Sequence, residues 1–497
     1  MNLIHNRPGA SGGDAADGVA RLDVDAVNAV GQRELYQKRQ QIYPKLVHGR
    51  FRLAKWVFLV LALGVYYLLP FVRWDRGPEG PSQAVLVDFP NARFYFFFIE
   101  LWPQEVYYIT GLLILAALAL FLVTALFGRV WCGYACPQTV WTDLFIAVER
   151  LFEGDRNKRI LLDRAPMSFN KAWRKTGKHV VWLAIAAATG GAWILYFHDA
   201  FDLLRDFFTG QAALTAYIFF ALLTFTTYSL AGTLREQVCT YMCPWPRIQG
   251  ALTDRESLAV TYRTDRGEPR GRHKKGESWD GRGDCIDCKA CVAACPMGID
   301  IRQGPQLECI GCALCIDACD DIMDKVGRPR GLIAYDTDDN IARRKAGEPA
   351  RWRFVRPRVV LYAVLIAGVC AIMLAGLVSR EELGLHADRD RNPNFVVLTD
   401  GSVRNAYTLN VQNKARVTRH LSLAVSADPQ PGVQLLGARD ELVLEIGPDR
   451  TRTFQVFLTL PREAALRHSI PVMFTITDPQ TGETAFTQDV FVTGAAP

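Results

Sequence analysis

CIDCKACVAACP at 285–296 and CIGCALCIDACD at 309–320 repeat one pattern, Cys-x2-Cys-x2-Cys-x3-Cys, within a few dozen residues. Three thiolates so closely spaced on a tight loop can hold three corners of an iron–sulfur cubane. The fourth, set on the following helix, cannot reach the same cube and is expected to serve the other one. By this crossed rule Cys285, Cys288, Cys291 and Cys319 hold one [4Fe-4S] cluster, and Cys309, Cys312, Cys315 and Cys295 hold the second. A structural zinc site would use two pairs of cysteines with a longer spacer between them. A disulfide framework would need an oxidising compartment. Neither accounts for two tandem four-cysteine runs.

This is the spacing of bacterial two-cluster ferredoxins. One departure stands out: Pro296 follows the first run, and Asp320 takes that place in the second. No GxGxxG fingerprint follows a strand, so electrons are expected from a soluble donor or a membrane quinol and not from a nicotinamide bound here.

Outward from the cysteines the chain turns apolar. Five runs are long enough to span a bilayer, which takes about 20 helical residues. They lie near Lys55–Val72, Glu105–Phe127, His179–Phe197, Ala213–Ala231 and Val359–Val378. The connection after the second run is rich in Lys and Arg, from Arg129 through Arg150, Arg156, Lys158 and Arg159 to Lys178. The turn from His198 to Ala212 instead carries Asp199, Asp202 and Asp206 against a single Arg. By the positive-inside rule the N-terminus and the cysteine-rich section are cytoplasmic, and five spans put the C-terminus outside. The net charge of +6 follows from this distribution, which argues against a nucleic-acid surface. The polar, basic first fifty residues show no secretory signal, and the first twenty read as disordered. FYFFFIELWPQ at 94–104 is too short to span and reads as an aromatic interfacial segment or a re-entrant lip.

Two further cysteine pairs sit where apolar runs end: WCGYACPQ at 131–138 and VCTYMCPW at 238–245. Spacing of i and i+4 would set Cys132 with Cys136, and Cys239 with Cys243, on one face of a helical turn. The shared order of apolar span, Cys and Cys-Pro reads as an internal repeat. Soft thiolates favour Cu(I), zinc or iron–sulfur clusters over hard cations. Neighbouring redox chemistry favours copper, with a dithiol couple, a third cluster or small buried residues as the alternatives. Cys370, inside the fifth run, reads as a packing residue.

After the fifth run, VRNAYTLNVQNK, LSLAV, ELVLEI, FQVFLTL, VMFTI and AFTQDVFVT alternate apolar and polar residues between turn signals. That pattern predicts an antiparallel β-sandwich of immunoglobulin-like size, free of cysteine, acting in docking. The expected order is therefore a tail (1–50), a four-span domain (51–235), a ferredoxin-like domain (236–355), a fifth span (356–380) and a periplasmic sandwich (381–497). The stretch DRGEPRGRHKKGESWDGRGD reads as an exposed loop within the third.

Taken together, these features resemble the cytochrome c oxidase accessory proteins of the CcoG, FixG and RdxA type, over nearly the whole chain from about residue 35. The resemblance implies a bacterial inner-membrane protein that reduces Cu(II) to Cu(I) for assembly of the copper centre of cbb3-type oxidase. It implies Cys132, Cys136, Cys239 and Cys243 as the copper thiols, with oxidase subunits or copper chaperones as partners. Two other readings stand beside it. One is a quinol dehydrogenase of the membrane polyferredoxin kind; the other is a copper scaffold whose clusters sense redox state.

Overall fold

The computed structural model describes residues 19–28, 40–77, 80–273, 276–437, 442–461 and 469–493. Most of the polar stretch expected to be disordered, 1–18, lies outside them. Contacts divide the chain into two compact units, Met1–Trp74 with Gln83–Met373, and Asp75–Ser82 with Leu374–Pro497.

In the first unit the helices run α1 (Arg50–Leu68), α2 (Tyr107–Phe127), α3 (Val130–Tyr134), α4 (Pro137–Glu153), α5 (Arg156–Arg164), α6 (Phe169–Ile194), α7 (Ala200–Thr209) and α8 (Leu214–Thr227). They continue with α9 (Trp245–Leu252), α10 (Thr264–Gly267), α11 (Ala290–Ala294), α12 (Leu314–Lys325), α13 (Asp338–Lys345) and α14 (Pro357–Val378). Among the described residues, four helical stretches are long and apolar enough to cross a membrane: Arg50–Phe71, Tyr107–Phe127, Leu214–Leu234 and Pro357–Val378. Their large side chains, such as Leu112, Leu113, Phe219, Val364 and Ile372, are exposed, as expected where lipid replaces a protein core. The remaining expected span is a helix too, α6. Its first turns carry Lys171, Arg174, Lys175 and Lys178, and it is not among the four. Small residues bring α6 against α8: a Cβ on Gly190 would stand 2.8 Å from the Phe220 carbonyl oxygen.

The aromatic stretch near residue 94 is folded as strand and hairpin. It belongs to a three-stranded antiparallel sheet, β1 (Val85–Asp88), β2 (Arg93–Phe96) and β3 (Ile99–Leu101). Phe97 supplies the turn with φ of 51°, and Arg93 and Glu100 form a 2.9 Å ion pair across the hairpin. Strand alternation sorts these aromatics: Tyr95 is buried between the more exposed Phe94 and Phe96.

Ahead of the cysteine runs comes β4 (Ala259–Tyr262), and after them β5 (Ile333–Asp336); the two pair antiparallel. This clasp closes the cysteine-rich segment at its base.

The second unit carries β6 (Leu383–Arg389), β7 (Val396–Val397), β8 (Val403–Asn413), β9 (Arg419–Ser426), β10 (Gly432–Leu435), β11 (Val443–Ile446), β12 (Arg450–Leu460), β13 (Ser469–Thr477) and β14 (Thr484–Val492). One sheet has the order β10-β12-β8-β6 with β7 on β8; the other has β11-β9-β13-β14. Every second residue of β8 is buried, so its inward side meets Leu421, Leu423, Phe474 and Ile476 of the facing sheet in one core. No cysteine lies in this unit.

Candidate functional site

The two cysteine runs fold as near copies. The residue before the second thiol of each loop, Asp287 and Gly311, is left-handed (φ 53° and 67°). So is the residue after it, Lys289 and Ala313 (φ 58° and 60°). Such turns aim successive backbone N–H groups into the loop. Ala290 N–H points at the Cys288 thiol, Gly311 N–H at Cys309, and the N–H groups of Met297 and Ile299 at Cys295. Donors of this kind stabilise bound sulfur and set the potential of a cluster.

Each run then sends its fourth cysteine across. Cys285, Cys288 and Cys291 line one cavity with Cys319, and Cys309, Cys312 and Cys315 line a second with Cys295. Cys291 borders both, so the two cavities share a wall. The donor set fits two iron–sulfur cubanes: thiols, inward N–H groups and apolar packing from Ile286, Ile310 and Ile333. Burial raises the Cys315 and Cys319 thiols well above their ordinary range, with the neighbouring thiols adding to it. Apart from metal they are thus held as neutral thiols. Arg302 borders the first cavity and is held by Asp300 (2.7 Å) and Asp287 (2.6 Å), a fixed cation beside buried sulfur. The missing proline of the second run also has a reason. Chain direction changes at Cys295, whereas α12 continues through Cys319 to Lys325, and Asp320 accepts the Gly331 N–H at 2.8 Å.

The paired cysteines depart from the expected single helical face. Cys132 lies in α3, but Cys136 is extended (φ −60°, ψ 127°) and caps α4. Cys239 lies in a π-helical turn, Val238–Met242, that ends in extended Cys243. Proline is the cause, because its ring disfavours helical geometry in the residue before it. The four thiols nonetheless form one electrostatic group. Burial pushes Cys132 up to about 12, with Cys136 and Cys243 adding to it and Arg129 and Gln249 opposing it. Burial does the same to Cys239, also to about 12, with Cys136, Cys132 and Cys243 adding to it. Among the described residues, no three His, Cys, Asp or Glu side chains converge on a single metal-ion position. Cys370 is exposed on α14 and does not pack inside the chain, because that helix turns its apolar side chains outward.

This thiol group abuts the second cysteine cavity. Cys132 and Cys239 pack with Cys295, Cys309, Cys312 and Ile310 in one cluster. Arg129 binds the layers together. Its guanidinium donates to the carbonyls of Leu307, of Cys309 at 2.9 Å and of Pro246 at 2.6 Å. Cys132 donates its S–H to Gln249 Oε1 at 3.2 Å, and Gln249 is fully buried. Gln138 ties the two cysteine turns, donating to the Leu230 carbonyl at 2.8 Å. Behind them, Glu149 and Glu153 are buried among Arg159, Lys178 and Arg235. Sequence reading missed Arg129, Gln249 and this ion cluster; only the position of Arg129 beside the first pair hinted at a role.

Family models match three parts of the chain. Residues 234–338 match a 4Fe-4S dicluster domain, 109–158 a 4Fe-4S binding domain, and 373–494 the IG-like fold at the C-terminus of FixG. The chain is 48% identical to nitrogen fixation protein FixG of Rhizobium meliloti, over 89% of this chain and 91% of that protein. It is 51% identical to protein RdxA of Cereibacter sphaeroides (86% and 91% covered) and 50% identical to protein RdxB of the same organism (85% and 90%). This is an iron–sulfur electron-transfer protein with helices long and apolar enough to cross a membrane, and it belongs to the family of FixG, RdxA and RdxB.

Proposed function

We propose that the chain reduces Cu(II) to Cu(I) at the group formed by Cys132, Cys136, Cys239 and Cys243, for assembly of the copper centre of a cbb3-type oxidase. One observation carries the reading: Cys132 and Cys239 pack against the same buried cluster, Cys312 included, that Cys295 and Cys309 border. Cys285, Cys288, Cys291 and Cys319 are the ligands of one [4Fe-4S] cluster, and Cys309, Cys312, Cys315 and Cys295 those of the other. When bound, the clusters supply electrons one at a time, matching a substrate that changes by one electron. The protein's own residues do the rest. Arg129 and Gly133 hold the copper thiols against the second cysteine loop, Gln249 orients Cys132, and the thiols stay partly exposed to an arriving ion. Soft thiolates hold Cu(I) better than hard donors would, and they bind it as their protons leave. With no three such side chains converging on one point among the described residues, a pair of thiolates is the natural holder.

In this reading five helices span a bacterial inner membrane, α6 among them, with the N-terminus and both cysteine turns cytoplasmic and the sandwich periplasmic. The domains then follow the order 1–50, 51–235, 236–355, 356–380 and 381–497. The sandwich docks an oxidase subunit or a copper chaperone. The test is Cu(II) reduction by the full chain, its clusters reduced with dithionite and the excess reductant removed, followed with a Cu(I)-specific chelator. Replacing the four thiols by alanine with cluster iron retained is expected to abolish it; an unchanged rate would overturn the site.

One observation favours a second reading of the same thiols. The 4Fe-4S match at 109–158 contains Cys132 and Cys136 as its cysteines. A third cluster shared by both pairs would raise iron from about eight to about twelve atoms per chain.

A further inference from the structure

The two cysteine loops are covered at equivalent places by different parts of the chain. In the second, the Tyr134 hydroxyl donates to the Cys312 carbonyl at 3.3 Å, and a Cβ on Gly311 would stand 3.1 Å from the Arg129 carbonyl oxygen. Arg129 and Tyr134 bound the first cysteine turn. In the first loop the matching carbonyl, that of Cys288, accepts the Leu22 N–H at 3.0 Å. Arg21 pairs with Asp287 and Asp25 with Lys289, each at 2.7 Å, so both residues that flank Cys288 are clamped. Residues 21–25 therefore take on the first loop the place that the thiol-bearing turn takes on the second. We infer that they form a displaceable strap over the face where electrons enter the first cluster, and that a soluble one-electron donor reaches the cluster when the strap lifts.

The two covers are held in different ways. On the second loop, Arg129 donates to three carbonyls and Gly133 lies against loop backbone, which leaves that cover no freedom to swing away. On the first loop the clamp is open to water: the side chain of Arg21 is 39% exposed and that of Asp25 58%. Exposed ion pairs are weak and screened by salt, so this cover can be lifted. At rest it stays down, because Val19 and Val24 are buried in the cluster that holds Cys285 and Cys291, and Leu22 borders it. A lifted strap keeps one fixed end. The N–H groups of Val27 and Asn28 both donate to the Gly298 carbonyl, at 2.8 and 3.1 Å, and Asn28 Nδ2 donates to the Met297 carbonyl at 2.7 Å. The face is edged by charged side chains, which suits a water-soluble carrier and not a lipid-soluble one. The donor is oxidised by one electron and the cluster is reduced by one; no bond or proton changes at the strap.

Only the direction of flow rests on the copper reading: electrons leave past the second loop, so they enter at the first. The test uses the anaerobic full chain with its clusters in place and two readouts. One is hydrogen exchange at the Leu22 amide; the other is the rate at which cluster absorbance bleaches with the cationic methyl viologen radical and, separately, with anionic dithionite. Arg21→Glu combined with Asp25→Lys sets like charges against Asp287 and Lys289. It is expected to quicken Leu22 exchange and bleaching by both reagents about tenfold, the loss of two exposed pairs, with iron content unchanged. Raising ionic strength from about 0.01 to about 1 M shortens the screening length from ~30 to ~3 Å and is expected to act the same way on the unmodified chain. A direct salt effect would move the two reagents in opposite directions, whereas a lifted strap speeds both. If the double variant loses iron, the salt series decides. Leu22 exchange that quickens without faster bleaching would overturn the strap, as would exchange that answers to neither change. Copper is absent from both readouts, so a failure of Cu(II) reduction alone counts against the copper reading and not against the strap.

Discussion

Gly133 sits so close to Cys312 that a Cβ built on it would lie 2.9 Å from the Cys312 Cα, and equally near the carbonyl oxygens of Ile310 and Gly311. The first cysteine turn is thus seated on the backbone of a cluster loop, with no side chain between them. Because the obstructing atoms are backbone, they cannot swing aside as a flexible side chain would. Gly133→Ala is expected to destabilise the chain by about 1–3 kcal/mol, the usual cost of overpacking. It is also expected to slow copper reduction by the pre-reduced chain, freed of excess dithionite, while iron content stays full. Iron analysis beside chelator-detected Cu(I) checks this, and an undiminished rate would mean the contact is not part of the electron path.

Arg129 holds the same junction electrostatically, between the Cys309 carbonyl and Cys132. Replacing it with Gln removes a fixed positive charge next to the second cluster. Reduction adds negative charge, so its potential is expected to move to more negative values. EPR-monitored titration measures the shift. Arg129→Lys keeps the charge and loses the forked hydrogen bonds, so it is expected to restore the potential but not the stability. A shift of the same size in both variants would rule out a charge effect.

What could be read from the chain alone followed the range of each interaction. Ligand spacing is local, so both cysteine runs were legible, as was the alternation of the sandwich strands. Gln249 was not, because it lies 117 positions from Cys132 and only folding brings it there. Arg129 reaches acceptors 178 and 180 positions away. The β1–β3 sheet was hidden for another reason: strands of three or four residues show too little period-2 signal to separate them from an apolar run. The extended form of Cys136 and Cys243 was legible, since each precedes a proline. Helical i, i+4 spacing points the other way, and the proline restriction overrides it.

The buried ion cluster predicts a response to acid. Burial alone would raise the Glu149 carboxyl, but Arg235 and Arg159 overcome it and hold it at about 2. A folded-state value below the ordinary 4.5 stabilises the fold above that pH. The contribution is then lost as pH falls from about 4.5 towards 2. Glu149→Gln removes the carboxylate and leaves Arg159, Lys178 and Arg235 short of a partner, at a cost of about 3 kcal/mol. Thermal unfolding at pH 7 and pH 4 is the measurement. The gap between wild type and variant is expected to shrink at the lower pH; a constant gap would assign the cost to packing.

Crossed ligation makes a prediction that a sequential scheme does not. Cys295 and Cys319 each border the cavity of the other run. Replacing Cys319 by alanine should therefore disturb the cluster of Cys285, Cys288 and Cys291, and replacing Cys295 should disturb the cluster of Cys309, Cys312 and Cys315. Each variant is expected to keep about four iron atoms of eight. Their EPR signals should differ, because only the first cavity has Arg302 on its wall. Combining Cys319→Ala with Arg302→Gln gives the decisive comparison. If crossing holds, the surviving cluster lies away from Arg302, and its potential is expected to match that of Cys319→Ala alone. With sequential ligation the survivor would lie beside Arg302, and the added substitution would move its potential downward.

Asp317 joins the cluster-bearing section to the membrane helices, and its removal should separate those parts without removing iron. From α12 its carboxylate accepts the Arg52 N–H at 2.7 Å and the Phe51 N–H at 3.3 Å, capping the first turn of α1. Gly49 leaves room for it: a Cβ there would stand 2.3 Å from the Asp317 Cγ. The free N–H groups of a helix start also favour a negative charge, so the contact has both hydrogen-bonding and charge components. Asp317→Ala is expected to cost about 1–2 kcal/mol, the usual range for a lost cap. Asp317→Asn keeps an acceptor without the charge and should fall between the two. Hydrogen exchange at Phe51 and Arg52 is expected to quicken in the order wild type, Asn, Ala, with the absorption of both clusters unchanged. Equal exchange in all three would show that α1 is held by its packing alone.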